Sequence, residues 1–419
     1  MRDRQIGTLT LLAALAVPVL WLSPALFTRR APAFRDQGDF FFPLKLYSAG
    51  RLGAGEVPLW NPLSGAGEPW LANAQSGVFY PPTLLFLLPS PALSCALYLL
   101  VHFAIGAAGS WRFLREEGAS APASLSAAAL FVASGFAASL CPYWNHFGAF
   151  MYLPSIAALA RAGLRRRRSI AALAALVGLQ AMAGSPEISG ATLLLAAVLG
   201  AAPRPPRPSG WAEPPRFQTP LRLLAAACLG LALAGWVLVP MGELLQRSDR
   251  QVPLPASERE AGAVGPEAFG SLLGMGGRSG TTYLASLAIG PIGLSLVLLG
   301  FAERQRRSLA LLLALVALAG AAASAAWPPG ALLRALPPLD RVRYPAKALC
   351  LTFFALPVLA GLGCDALRFA PRFKPALAAA LGWAAALALP ASLFFACRGL
   401  FVFVPEEEIR RPPDSLGPL

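Results

Sequence analysis

The chain has 419 residues, of which 56% are hydrophobic and only 13% are charged. Soluble domains carry about 25% charged residues, so the composition excludes an ordinary soluble protein and predicts a membrane protein with several spans. The formal net charge of +14 does not indicate a nucleic-acid partner, because the basic residues stand in short clusters between hydrophobic runs.

Hydrophobic runs recur along the whole chain. A span needs roughly 20 apolar residues, and it must be helical because lipid offers the backbone no other hydrogen-bond partner. The first run is longer than the apolar region of a signal peptide, so we expect it to be retained as a helix. The sequence predicts one all-α, polytopic bundle over residues 1–419, with about eleven transmembrane helices, near 6–26, 91–113, 122–140, 149–164, 169–184, 187–202, 223–241, 281–301, 308–326, 348–368 and 375–397. The runs between 169 and 202 are short enough for a re-entrant pair.

Dense basic clusters alternate with the predicted helices and indicate the orientation. Short loops that are rich in Lys and Arg stay in the cytoplasm. If the N-terminus is cytoplasmic, all the dense clusters fall on that side, at 1–4, 165–168, 203–222, 303–307 and 368–374. We therefore predict a multi-pass membrane protein with its N-terminus in the cytoplasm.

The longest loops are predicted on the outer face. They cover 27–90, 242–280 and 327–347, whereas the longest cytoplasmic segment is the Pro-rich linker at 203–222. The glycine-rich stretch at 274–280 lacks the Lys and the preceding strand of a phosphate-binding loop. Chemistry is thus expected outside, where free nucleotides are scarce and an activated donor would come from the lipid.

No metal centre is predicted from cysteine and histidine. The six cysteines are scattered and form no CxxC pair, and His102 and His146 are too isolated to form a metal centre. His102 falls in an apolar run, where a packed helix interface is the ordinary explanation. His146 belongs to a short polar loop, "CPYWNHFG".

Two acids follow the first helix, in "FRDQGDFFFP". Asp36 and Asp39 are candidate catalytic groups, because a carboxylate at the mouth of a bundle can act as a general base toward a hydroxyl. The alternative is that both are solvated loop acids, paired with Arg35 or Lys45. Aromatic residues follow at once, which indicates that the backbone re-enters the interface, where an unneeded charge is costly. A divalent cation between the two acids remains open, although two acids three residues apart are weak support.

The rest of the first outer loop is rich in Trp, Asn, Gln, Gly and Pro. Such a composition is typical of a fixed, irregular loop that exposes polar groups. Aromatic faces and neutral amides suit a sugar or a lipid headgroup, although Trp can also serve only as an interfacial anchor. The candidate substrate-binding residues here are Trp60, Asn61, Asn73 and Gln75.

Three blocks of this loop carry a resemblance to a known family. The stretches "RDQGDFFFPLK", "GEVPLWNP" and "NAQSGVFYPP" resemble the N-terminal signature of the YfhO-type bacterial membrane proteins. Weaker similarity continues at 129–136, 183–189 and 341–349. That family is placed with the GT-C superfamily of glycosyltransferases that use polyprenyl-phosphate sugars. The position of the family acid, after an Arg and before Pro-Leu-Lys, favours Asp36 over Asp39, and the second acid departs from the pattern.

Charged residues in two further outer segments complete the candidate site. Glu187 lies in "AGSPEIS", where it either belongs to the site or only favours a first helical turn capped by Ser185. Arg341, Arg343 and Lys347 lie in "LDRVRYPAKAL" and suit the oxygens of a lipid phosphate. The alternative is that they anchor the chain to anionic headgroups.

The resemblance implies a membrane glycosyltransferase that moves a sugar from a polyprenyl-phosphate donor to an outer-face glycan, lipid or protein. Asp36 would deprotonate the acceptor hydroxyl, and the cationic residues would offset charge on the departing phosphate. Two alternatives stay open. A flippase or transporter for lipid-linked glycans should carry inverted repeats and mid-helix charges, which the sequence lacks. Nothing in the sequence excludes a non-catalytic scaffold for envelope assembly.

Overall fold

The computed structural model describes residues 2–203, 218–274, 283–368 and 374–410, with side chains from 5 to 409 within those ranges. These residues are predominantly helical, and their sheet content is limited to two short ladders. The all-α class is therefore confirmed. Most of the predicted linker at 203–222, and residues 275–280 of the predicted loop 242–280, lie outside the described residues.

The first half of the chain contains nine α-helices among the described residues: α1 (Arg2–Trp21), α2 (Ser23–Phe27), α3 (Phe42–Gly53), α4 (Pro91–Glu116), α5 (Ala121–Ala133), α6 (Gly135–Leu140), α7 (Trp144–Ala162), α8 (Arg167–Met182) and α9 (Pro186–Ala201).

The second half contains nine more among the described residues: α10 (Gln218–Leu233), α11 (Gly235–Gln246), α12 (Ala256–Arg259), α13 (Gly290–Leu299), α14 (Arg307–Ser324), α15 (Gly330–Arg334), α16 (Leu349–Arg368), α17 (Pro375–Cys397) and α18 (Glu406–Arg410). The strands form two antiparallel pairs, β1 (Arg30–Pro32) with β4 (Phe403–Pro405) and β2 (Trp60–Asn61) with β3 (Glu68–Pro69).

Five helical segments of the described residues are long and apolar enough to cross a membrane, or six if the bent pair α10–α11 is one span. The count of about eleven is not confirmed, because several predicted spans fold as shorter helices. Helix α9, for example, has 16 residues, which at 1.5 Å per residue falls short of about 30 Å of hydrocarbon. The predicted helix 223–241 is broken at Ala234, where the chain bends by 77°.

Helix α5 forms the centre of the bundle. Residues Pro122 to Ala133 are all buried, and they are mostly Ala and Ser with no charge, as expected of a helix surrounded by protein. Small residues also bring neighbouring helices together. A side chain on Gly361 of α16 would meet Leu114 and the Ala123 carbonyl, so glycine is what allows α16 to approach α4 and α5 closely.

The helices connect two polar ends. We call the end that carries Asp36, Tyr143 and Lys347 the Asp36 face, and the end that carries Glu117 and Asp365 the Glu117 face. Helices α4, α7 and α16 begin at the Asp36 face and end at the Glu117 face, whereas α5 runs the opposite way. The back-and-forth path agrees with the predicted alternation of loops. Which face is cytoplasmic stays a prediction.

The first outer loop is more regular than its sequence suggests. Residues 27–90 were predicted to be irregular, but they include a π-helix (Gln37–Phe41), α3, the β2–β3 ladder and a 3₁₀ helix (Pro81–Leu87). Trp70 and Tyr80 are buried inside this segment and fix it to the bundle. The apolar face of α3 explains the difference, because burying it stabilises a helix that short-range signals do not reveal.

Candidate functional site

The backbone at Arg35 and Asp36 adopts an unusual conformation. Arg35 has a φ of +54°, in the left-handed region that few residues other than glycine occupy. Asp36 then precedes the π-helix Gln37–Phe41. Single π-turns and left-handed non-glycine residues cost free energy and are frequent at functional sites.

The Arg35 guanidinium fixes this turn to two other segments of the chain. It donates a hydrogen bond of 3.0 Å to the Tyr143 hydroxyl and one of 2.8 Å to the Tyr283 carbonyl. Tyr143 immediately precedes α7, and Tyr283 precedes α13. The contacts to Arg35 thus connect the predicted catalytic segment with two segments that the sequence analysis did not include in the site.

The Asp36 side chain is exposed at the mouth of the bundle. Partial burial raises the pKa of its carboxyl group, the Arg35 charge lowers it, and the Asp39 charge raises it, with a net upward shift. A carboxylate with a raised pKa is a better proton acceptor than an ordinary surface aspartate. Asp39 is also exposed, on the first turn of the π-helix.

Three tyrosines form a stack beside this turn. The Tyr143 and Tyr283 rings are 4.6 Å apart at an angle of 22°, and the Tyr283 and Tyr344 rings are 5.0 Å apart at 13°. Tyr344, which is 38% exposed, also has a positive φ of 58°. The stack therefore ends in an accessible aromatic face that a strained backbone holds in place.

Tyr283 connects the two charged parts of the cluster. Its hydroxyl is buried and has no hydrogen-bond partner among the described residues. Burial raises the pKa of Tyr283, and Tyr143, Glu187, Tyr344 and Asp36 raise it further, so the ring lies within electrostatic range of both carboxylates.

Glu187 and Lys347 form an ion pair in this cluster. The Lys347 ammonium lies 2.6 Å from a Glu187 carboxylate oxygen, and the Lys347 residue is only 5% exposed. The second oxygen of Glu187 accepts a hydrogen bond of 3.4 Å from Ser185, whose hydroxyl also lies 2.8 Å from His146 Nδ1. Ser185 therefore bonds side chains instead of capping α9, contrary to the capping alternative.

The neutral candidates of the first loop have mostly structural contacts. Asn61 accepts a hydrogen bond of 3.0 Å from the Leu63 amide, and Asn73 accepts one of 3.0 Å from the Gln75 amide. Both are side-chain turns that asparagine commonly forms. Trp60 is 53% exposed and packs over Gly67.

The first loop nevertheless touches the Glu187 segment. A Cβ on Gly184, which has a φ of +91°, would lie 2.5 Å from the Ala74 carbonyl oxygen, so only glycine permits this approach. The Asn145 amide donates a hydrogen bond of 3.1 Å to the Gly184 carbonyl. Residues 73–75 therefore lie beside the segment that carries Glu187.

The two candidate arginines lie closer to the surface than Lys347. Arg343 forms an ion pair with Glu258, and these side chains are 40% and 42% exposed. Arg341 lies 3.9 Å from Asp340 and is 47% exposed. Glu258 was not identified from the sequence, because it lies 85 residues before Arg343.

A buried lysine lies beneath the first loop. Lys45 donates a hydrogen bond of 2.9 Å to the Gln75 carbonyl, so it is not the partner of Asp36 or Asp39, one of the two partners that the alternative named. Burial lowers its pKa to about 7. Below it, the Tyr80 hydroxyl bonds His102 Nε2 and lies 3.1 Å from the Tyr152 hydroxyl. The available sequence signal was a lysine placed directly after the apolar run Phe40–Leu44.

A preformed metal site is absent from the described residues, which contain no group of three His, Cys, Asp or Glu side chains suited to an ion. A groove of about 530 Å³ beside Phe27 and Phe403 and a cavity of about 320 Å³ on the Glu117 face are not lined by Asp36, Glu187 or Lys347. Within the Asp36 cluster, Asp36, Asp39 and Tyr344 are exposed, whereas Lys347 and Tyr283 are buried beneath them.

These features define an all-helical membrane protein with a polar cluster at one end of its bundle. A scan against known protein-family models and a search of curated proteins find no match to the chain.

Proposed function

We propose that the chain is a membrane glycosyltransferase that moves a sugar from a polyprenyl-phosphate donor to an acceptor hydroxyl on the outer face of its membrane. The observation that carries the proposal is the convergence of Asp36, Glu187 and Lys347, from three distant segments, around the tyrosine stack. Within it, Asp36 is the exposed carboxylate with a raised pKa.

Asp36 is the general base in this proposal. It accepts the proton of the acceptor hydroxyl as that oxygen attacks the anomeric carbon of the sugar, and the bond to the lipid phosphate breaks. Arg35 has its guanidinium committed to Tyr143 and Tyr283, so it holds the Asp36 turn in position. A positioned base of this kind contributes about 10²–10⁴ in rate.

The departing lipid phosphate needs cationic partners. Arg343 serves this role because its side chain and that of its partner Glu258 are both exposed, and the half-exposed Arg341, 3.9 Å from the buried Asp340, supports it. Exposed ion pairs are worth about 1 kcal/mol or less, so a phosphate can replace the acid at little cost. Lys347 is committed to Glu187 and acts as a positioning residue.

The donor reaction tests this proposal directly. Purified protein is incubated with a polyprenyl-phosphate sugar and an acceptor glycan, and release of the free lipid phosphate is measured. We expect release that depends on the acceptor and on Asp36. Transport of the intact lipid-linked sugar across the vesicle membrane without release would indicate a flippase. If neither release nor transport is observed, the scaffold function is the remaining alternative.

A further inference from the structure

The Glu117 face contains a polar cavity that the proposed function does not use. Its volume is about 320 Å³, at the lower end of the ~300–1,000 Å³ of small-molecule sites. It lies between the last turns of α4 and α16, the turn before α5 and the turn before α14. Its lining residues are Arg115, Gly118, Ala119, Ser120, Glu303, Gln305, Arg306 and Arg368.

Arg306 forms the rigid part of this cavity. Its guanidinium donates 2.9 Å hydrogen bonds to the carbonyls of Glu117 and Gly118, and lies 3.3 Å from the buried Asp365 carboxylate. Asp365 in turn accepts hydrogen bonds from the Ser120 amide and hydroxyl. Arg306 and Asp365 therefore lock the ends of α4, α5 and α16 together, and Arg306 has little capacity left for a ligand.

The cavity wall has an excess of positive charge. Arg115 and Arg368, in the last turns of two different helices, join Arg306 in the lining, and the facing carboxylates are Glu303 and Asp365, both beside Arg306. Arg115 also donates a hydrogen bond to the Ala119 carbonyl. A basic side chain at a helix C-terminus can be explained by its favourable interaction with the helix dipole alone. That explanation does not account for two of them converging on one cavity with an arginine floor.

We infer that this cavity binds a phosphate group, presented by the headgroup of an anionic membrane lipid. A guanidinium group can donate two parallel hydrogen bonds to the oxygens of one phosphate. Basic pockets between the ends of membrane helices are suited to lipid headgroups. A soluble phosphate ester has the same chemistry and is the alternative source. The inference does not depend on the glycosyltransferase proposal, because no residue of the Asp36 cluster is involved.

Native mass spectrometry of the full chain in detergent measures the binding. Phosphatidylglycerol and phosphatidylcholine with identical acyl chains are the probes, and glycerol 1-phosphate is the soluble competitor. The test variant is R115Q/R368Q. The matched control is R112Q/R304Q, which removes two exposed positive charges near the same face but outside the cavity lining.

We expect phosphatidylglycerol to bind wild type and control equally, and R115Q/R368Q about tenfold more weakly or worse. Phosphatidylcholine should bind all three weakly. Displacement by glycerol 1-phosphate would show that the soluble ester is also accepted, and resistance to it would assign the site to lipid. Equal phosphatidylglycerol binding by both double variants, or equal binding of the two lipids, would overturn the inference.

The charge-retaining variant R115K/R368K provides a second measurement of binding in case the glutamine variant does not fold. Lysine keeps both charges but loses the planar fork, so we expect intermediate affinity for phosphatidylglycerol. Affinity equal to wild type in this variant would contradict recognition by paired guanidinium bonds. Size-exclusion profiles confirm that each variant is folded.

Discussion

Lys347 donates a hydrogen bond of 2.6 Å to Glu187, although the two residues lie 160 positions apart in the chain. The pair joins the start of α9 to the turn before α16, directly beside the tyrosine stack. Lys347 is nearly inaccessible, so its charge depends on Glu187 for compensation.

The first prediction concerns the stability of this pair. Lys347→Ala should lower the free energy of unfolding by about 2 kcal/mol, because it leaves the Glu187 carboxylate largely buried without its partner. Chemical unfolding in mixed micelles measures the difference. Arg343→Ala is the control, and it should cost about 1 kcal/mol or less because its pair with Glu258 is exposed. Similar losses in both variants would contradict the distinction between positioning and surface residues.

The second prediction concerns the base. Asp36→Asn keeps the size and polarity of the side chain but removes the proton acceptor, so transfer activity should fall by about 10² or more at matched membrane expression. Asp39→Asn should have a smaller effect, and it is the natural comparison three residues away. If only Asp39→Asn is inactive, the base is Asp39.

The pH dependence of the transfer reaction gives an independent check on Asp36. A general base acts only when it is deprotonated, so the rate should fall as the pH drops through its pKa. Since that pKa is raised, the acid limb of the profile should lie above the ordinary value of about 3.9 for aspartate. A rate that stays constant down to that value would count against Asp36 as the base.

The third prediction concerns the accessible end of the tyrosine stack. Tyr344→Phe keeps the aromatic face that stacks on Tyr283, whereas Tyr344→Ala removes it. If the sugar packs against this face, alanine should raise the KM for the donor about tenfold with a smaller effect on kcat, and phenylalanine should behave like wild type. An equal loss in both variants would assign the role to the hydroxyl group.

The fourth prediction concerns the buried Lys45. Its folded pKa of about 7 lies below the unfolded value of about 10.4, so between those values the unfolded chain binds one more proton. Stability should therefore rise with pH across that window, and the cost of burying the charge should be greatest below pH 7. The thermal midpoint in detergent between about pH 7 and 9.5 measures this rise.

Lys45→Met should flatten that rise, because the residue no longer titrates. Lys374→Met is the matched control, since Lys374 is exposed and the chain has only three lysines in total. The control should retain the pH dependence of wild type. The same slope in all three proteins would mean that Lys45 is not a buried titrating group.

The fifth prediction concerns orientation. Single cysteines at Ser64 and Ser308, both exposed and on opposite faces of the bundle, are labelled in intact cells with an impermeant thiol reagent. With the N-terminus inside, position 64 should react at once and position 308 only after permeabilisation. The unsubstituted chain is the control for the native cysteines. Labelling at 308 alone would reverse the orientation and remove the outer-face reaction.

Local composition was sufficient to determine the class of the fold. Alanine- and leucine-rich runs without charges can satisfy their backbone in lipid only as helices, so the all-helical bundle and the alternation of its loops followed from the sequence. The predicted count of spans is not confirmed, because hydropathy does not reveal a break such as the 77° bend between α10 and α11. The bend depends on packing, which a single run cannot specify.

The sequence also identified Asp36, Glu187 and Lys347 as candidate site residues. It could not assign their partners, because contacts such as Lys347 with Glu187 or Arg35 with Tyr283 join segments far apart in the chain. Tyr283 was missed, and Lys45 was considered only as a partner of the two acids, for the same reason: an isolated tyrosine or lysine becomes significant only when tertiary packing removes it from water. Residue types therefore determined which groups could react, and the folded bundle decided which of them meet.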